Sequence, residues 1–265
     1  MSKIKYFLFS RDGAYALCSA LRTQNLYYPK ADIKLLLQYS SNKELEAFQV
    51  ALKVNHINDS NVRFLSAESK LRDVLLEEIS ETGTELIGFM TSDDMFYSEV
   101  DEPIILNEFK KPNILSFSLR LGENIKENSL VNIKNKLLPE YKTDDVFGWN
   151  WKNHYFDFSA PFSTHGHIFR KKEIIKMVRN CKFFQNFEDL ENELQKFNNY
   201  PLPLMASFVQ SKIVTIAPLL FNEKTNTSIT DLRNQILINE NYYHIMVPNS
   251  TTEQHFSIPN EYEMN

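Results

Sequence analysis

Glu85-Leu86-Ile87-Gly88-Phe89-Met90-Thr91-Ser92-Asp93-Asp94-Met95-Phe96 is an apolar run that ends in two adjacent carboxylates. Such a run suits the central strand of a parallel sheet, covered on both faces. In open α/β sheets, ligands bind just beyond the carboxyl ends of these strands. Two acids at that point repel each other and lose hydration unless a cation sits between them and an anionic ligand. A hard divalent ion carrying a diphosphate meets that requirement, and it implies a nucleotide-activated substrate.

The residues upstream supply the rest of such a sheet. Residues 3–10 are rich in aromatic and branched side chains and read as a strand. Ala14, Leu17, Cys18 and Leu21 then share one helical stripe, with Asp12 as the expected N-cap. Residues 32–39 carry Leu35-Leu36-Leu37 and read as a second buried strand. Ser41 to Glu44 has capping-box spacing, and Leu45, Phe48, Ala51 and Leu52 give the following helix its apolar face. Residues 62–67 form a third strand, and Leu71, Val74, Leu75 and Ile79 a third helical stripe that ends near Gly83. This β-α succession predicts a parallel sheet with right-handed crossovers. The ends of strands one, two and four (Ser10, Arg11 and Asp12; Tyr39 and Ser40; Asp93 and Asp94) then meet at one edge.

Composition narrows the function classes. The 265 residues are 43% hydrophobic, enough for one large core or a core with an appended subdomain. A formal net charge of −5 and the lack of a basic stripe argue against nucleic acid as a partner. Cys18 and Cys181 are too far apart in sequence for a metal knuckle or redox pair, so a reducing, cytoplasmic compartment is expected. The apolar stretch at residues 3–10 is too short for a signal peptide, and no stretch reaches the roughly 20 apolar residues of a membrane helix. Neither a Gly-x-Gly-x-x-Gly nor a P-loop pattern occurs among only 6 glycines. Without a glycine-rich cradle, a metal is expected to neutralise the diphosphate.

Downstream, residues 115–120 alternate as a strand with one apolar and one polar face. Residues 122–146 read as a polar loop, and a basic helix covers 171–179. Pro161 to Arg170 contains His165-Gly166-His167, two histidines that an extended loop would turn to one side. Phe187, Leu190, Leu194 and Phe197 form a core stripe, with Glu188 and Glu191 on another flank. No internal repeat or low-complexity linker is present.

An opening strand ending in Ser10-Arg11, the β-α succession, and Thr91-Ser92-Asp93-Asp94 after the fourth strand resemble the GT-A glycosyltransferases. The closest likeness is to the glycosyltransferase family 2-like enzymes of bacterial polysaccharide synthesis. Thr91 to Asp94 stands as the equivalent of the DxD motif. Ser92 occupies the place where the first acid often stands, so Asp93 and Asp94 share the work. The resemblance spans residues 3–220.

It implies an α/β, GT-A (nucleotide-diphospho-sugar transferase) fold with a mostly parallel central sheet flanked by helices. Residues 1–220 would form the catalytic domain, with 1–120 holding the nucleotide-sugar and 121–220 the acceptor. Residues 221–265 would be a C-terminal extension packed on the same domain. The implied cofactor is Mn²⁺ or Mg²⁺, held by Asp94, with Asp93 on the ribose or the same metal. Ser10, Arg11, Tyr39, Arg72, Asp93 and His167 are the implied nucleotide-sugar contacts. The implied catalytic base is Glu191 or Asp189, with Glu188 and Asp157 as further candidates.

The implied partners are a UDP- or GDP-sugar donor and a glycan or lipid-linked glycan acceptor. The setting is surface polysaccharide (capsule or lipopolysaccharide) synthesis, with peripheral association at the inner face of the membrane. Plainer roles exist for the same residues. Asp93 and Asp94 suit a solvated turn or a helix N-cap, Arg72 a solvated helix face, and Trp149 and Trp151 either a sugar platform or the core. Two rival functions are a non-catalytic nucleotide-sugar-binding or assembly subunit and a sugar nucleotidyltransferase. The latter ranks lower, because Arg11-Asp12-Gly13-Ala14 lacks a glycine-rich basic loop.

Overall fold

The computed structural model describes residues 3–125, 127–128, 133–134, 138–182, 184–216 and 255–256. The first half alternates as expected: β1 (Ile4–Arg11), α1 (Ala14–Tyr27), β2 (Asp32–Tyr39), α2 (Asn42–Val54), β3 (Val62–Ser66), α3 (Leu71–Glu81) and β4 (Leu86–Thr91). A three-residue strand, β5 (Asp94–Phe96), follows the acidic turn, then α4 (Glu102–Glu108) and β6 (Ile114–Ser118). The second half holds β7 (Glu127–Asn128), β8 (Ile133–Lys134), β9 (Tyr141–Lys142), β10 (Val146–Asn150) and β11 (His167–Arg170). It continues through α5 (Lys171–Asn180), α6 (Phe187–Leu194), β12 (Leu204–Phe208), β13 (Ile213–Ile216) and β14 (His255–Phe256). Most of the expected extension at 221–265 lies outside the described residues.

Among the described residues, nine strands form the central sheet in the order β3-β2-β1-β4-β11-β6-β12-β10-β9. β1, β2, β3 and β4 pair in parallel, whereas β11 lies antiparallel between β4 and β6, and β10 runs against β12 and β9. The sheet is mixed, with most strands sharing one direction.

Strand residues alternate between two apolar layers. Tyr6, Leu8, Leu35, Leu37 and Met90 face α1 and α2 through Leu17, Leu21, Phe48 and Leu52. Phe7, Phe9, Leu36, Ile87 and Phe89 face α3, α5 and α6 through Leu75, Ile79, Ile174, Phe187 and Leu190. Because both faces are covered, the centres of these strands (Tyr6 to Phe9, Leu35 to Leu37 and Leu86 to Met90) are apolar. Gly88 is the exception, and its place has a steric reason. Its register partner is Tyr6, and a Cβ there would lie 2.3 Å from Tyr6 Cδ1.

Two local expectations change. Asp12 does not cap α1; Gly13 takes that place without a side-chain bond, while Asp12 turns to a φ of 49° and accepts the Ser40 N–H on Oδ1 at 2.7 Å. Ser41 does cap α2, accepting the Glu44 N–H. The second change is in β6, which shows no polar outer face: all five of its residues are buried. It sits between β11 and β12, so Ser116 and Ser118 satisfy their hydroxyls internally, on the Pro161 carbonyl and on the Arg120 and Leu121 N–H groups.

Candidate active site

The carboxyl ends of β1, β2 and β4 converge through backbone bonds. The Ser92 N–H donates to the Phe9 carbonyl and the Asp12 N–H to the Gln38 carbonyl, each at 3.0 Å. Gly13 fits closely against both Ser10 and Ser92, for a Cβ there would stand 3.0 Å and 3.5 Å from their hydroxyls. Ser10 is buried, Arg11 exposed and Tyr39 half-buried at this edge. Four expected residues (Ser10, Arg11, Tyr39 and Asp93) are thereby brought together. Glu44 adjoins them, its carboxyl held above the ordinary value by burial and by Asp12.

The two adjacent acids have different surroundings. Asp94 is fully buried. Its Oδ2 accepts the Thr91 N–H at 2.9 Å, and its Oδ1 accepts Thr215 Oγ1 at 2.7 Å and His165 Nδ1 at 3.0 Å. Asp94, expected on a metal, here points its oxygens at three protein donors from β4, β13 and the loop before β11. Asp93 is half-buried and keeps its carboxylate outside that network. Burial, then repulsion from Asp94, pushes its pKa up to about 6, against the pull of His165.

Among the described residues no group of three or more His, Cys, Asp or Glu could by itself hold a metal ion. The half-buried Asp93 carboxylate fits Mg²⁺ or Mn²⁺ in the shared manner, in which one or two carboxylates are joined by ligand phosphates.

The loop before β11 closes the other side. Glu191 Oε2 accepts the Thr164 N–H at 2.6 Å, Thr164 Oγ1 at 2.9 Å and Ser163 Oγ at 3.2 Å, tying α6 to this loop. His165 follows directly. Burial works to lower its pKa, but the Asp94 carboxylate outweighs that and, with Glu191, holds it above the ordinary value. Arg120, almost fully buried, pairs with Asp157 at 2.9 Å and also feels Glu191 and Asp94.

Other expected site residues are placed elsewhere. His167 is wholly buried in β11; among the described residues neither ring nitrogen makes a close hydrogen bond, and its polar neighbour is the Pro161 backbone. Desolvation first, then Arg120, lowers its pKa to about 3, so it is neutral in the interior rather than at the sheet edge. The Arg72 guanidinium donates to the Val178 and Arg179 carbonyls and so caps the end of α5. Asp189 sits in the first turn of α6, where its Oδ2 accepts the Gln185 N–H, a capping position. Trp149 and Trp151 are core residues, with their indole N–H groups bonded to the Phe158 and Leu202 carbonyls.

Thr215 and Arg120 went unmarked as site residues because nothing nearby in sequence links them to residue 94. His165 carried a signal, the adjacent Gly166 with its φ of 66°, which lets the chain turn before β11.

No protein-family model matches the chain, and no curated protein matches it. Solved structures do. S. aureus TarS aligns at 13% identity over 90% of this chain, with a TM-score of 0.51; the chain spans 39% of that structure. S. aureus TarS 1-349 in complex with UDP-GlcNAc aligns at 13% identity over 80% of this chain and 57% of that one, with a TM-score of 0.50. At such identity the likeness shows the fold, α/β of the GT-A type, and fold alone does not assign an activity. No described helix is long and apolar enough to cross a membrane.

Proposed function

We propose that the chain is a glycosyltransferase that moves a sugar from a nucleoside-diphosphate-sugar to a glycan or lipid-linked glycan acceptor. The observation that carries this reading is Asp93, a desolvated carboxylate that repulsion from Asp94 holds well above its ordinary pKa, at the edge where β1, β2 and β4 end. Edges of this kind bind nucleotides in open α/β sheets. Asp93 would hold Mn²⁺ or Mg²⁺ together with the diphosphate, and the ion would stabilise the charge that develops on the leaving group. Ser10, Arg11 and Tyr39 border the nucleotide, and Asp94 fixes the turn that presents Asp93.

Residues 1–120 supply the donor half and 121–220 the acceptor half, and surface polysaccharide is the product class the reading favours. UDP-GlcNAc is the first donor to try, since a TarS structure of the same fold binds it. A thermal-shift panel of UDP, GDP, CDP and their sugars, with and without Mn²⁺, tests the reading. One nucleotide should stabilise the protein in a Mn²⁺-dependent way, by about 2.7 kcal/mol at a hundredfold excess over Kd. A flat response across the panel would overturn it.

A further inference from the structure

We propose that His165, oriented by Asp94, is the group that takes the acceptor's proton during transfer, and that Glu191 is a positioning residue for it. The inference rests on the transferase reading above. It departs from the expectation that Glu191 itself is the base.

Three observations carry it. Asp94 is fully buried and, as a carboxylate, can only accept, so the proton between it and His165 belongs to Nδ1. That leaves Nε2 as the bare acceptor nitrogen. Nε2 has no hydrogen bond with any described residue, the side chain is 29% exposed, and the Asp93 carboxylate is near enough to feel its charge. Glu191, by contrast, commits one oxygen to three donors on residues 163 and 164, and these donors fix the backbone that carries His165.

The charged groups around the imidazole are Asp94 on β5, Asp93 in the preceding turn, Glu191 on α6 and Arg120 after β6. The acids outweigh the single guanidinium, so an imidazolium formed in the reaction is stabilised where it forms. Asp94, against the effect of burial, holds the imidazole pKa above its ordinary value, which favours taking up a proton.

The step balances without a further reactant. The acceptor oxygen forms a bond to the anomeric carbon while its O–H proton passes to Nε2. The bond from that carbon to the diphosphate oxygen breaks, and its electron pair leaves with the nucleoside diphosphate. The resulting imidazolium faces Asp94 through Nδ1–H, and it returns the proton to solvent from its exposed side.

Nucleoside-diphosphate release, with water as acceptor, is measured across UDP-, GDP- and CDP-sugars with Mn²⁺ for the wild type, His165→Ala, His165→Gln and Glu191→Ala. Melting temperatures and UDP shifts are recorded for each. The expected result is a loss of about 10² to 10⁴-fold in turnover for both His165 variants, with nucleotide binding kept. Added imidazole should restore part of the His165→Ala loss but none of the Glu191→Ala loss. A folded, nucleotide-binding His165→Gln protein within a few-fold of wild type would overturn the inference and leave the transferase reading standing. So would a His165→Ala loss untouched by imidazole. A wild type that releases nothing from any donor would overturn both.

Discussion

Neutralising each of the adjacent acids in turn should move stability in opposite directions. Asp93 in the folded protein titrates at about 6 against 3.8 for the free group, because burial and Asp94 disfavour its charge. At 1.36 kcal/mol for each pH unit, its ionised form costs the fold about 3 kcal/mol at neutral pH. This is an acid whose folded pKa is raised. The penalty is therefore absent below pH 3.8, grows between 3.8 and about 6, and is complete above that.

Asp93→Asn removes it. The variant should be more stable than wild type at pH 7.5 by 1 to 3 kcal/mol, or about 2 to 4 °C in Tm per kcal/mol for a chain of this size. The gain should vanish near pH 4. Asp94→Asn should do the reverse, since an amide cannot accept from Thr91, Thr215 and His165 together. Each bond lost to a charged acceptor is worth about 1.5 to 3 kcal/mol. Urea titrations at pH 4, 5.5 and 7.5 measure both variants, with Mn²⁺ and UDP added at the highest pH. Asp93→Asn should lose the ligand-induced stabilisation that wild type gains. An Asp93→Asn protein less stable than wild type at pH 7.5, or one whose gain persists at pH 4, would refute the division of labour between the two acids.

His167→Leu should stabilise the protein by about 1 kcal/mol, because it removes a wholly buried imidazole that makes no close hydrogen bond with the described residues. His167 is a base whose folded pKa is lowered to about 3, so wild type loses stability as pH falls from 6.5 toward 3; the variant's acid limb should be shallower in urea titrations over that range. Arg72→Met should cost about 1 kcal/mol by uncapping α5, while UDP affinity by calorimetry stays at the wild-type value. A weakened Kd would restore Arg72 to the nucleotide site. Gly88→Ala should destabilise by about 1 to 3 kcal/mol by driving a methyl into the Tyr6 ring, and a Tm equal to wild type would contradict the packing of β1 on β4.

Local pattern carried the first half of the fold because each element there answers to its own residues. The leucines at 35–37 need cover on two faces, and the Ser41 to Glu44 cap starts a helix wherever it lies. β11 was not legible in this way. Its four residues carry no mark of direction, and only pairing between β4 and β6 sets them antiparallel. The buried serines of β6 misled for the same reason, since an alternating strand reads as half-solvated until its neighbours are known.

The sequence by itself determined that an acidic pair ends a buried strand at a sheet edge, because hydrophobic period and chain order suffice for that. Which acid faces outward was decided only in three dimensions, where Thr215, 121 residues away along the chain, and His165 supply the donors that turn Asp94 inward. The direction a side chain takes depends on which partners satisfy it, and those partners are assembled by tertiary packing rather than by neighbours in sequence.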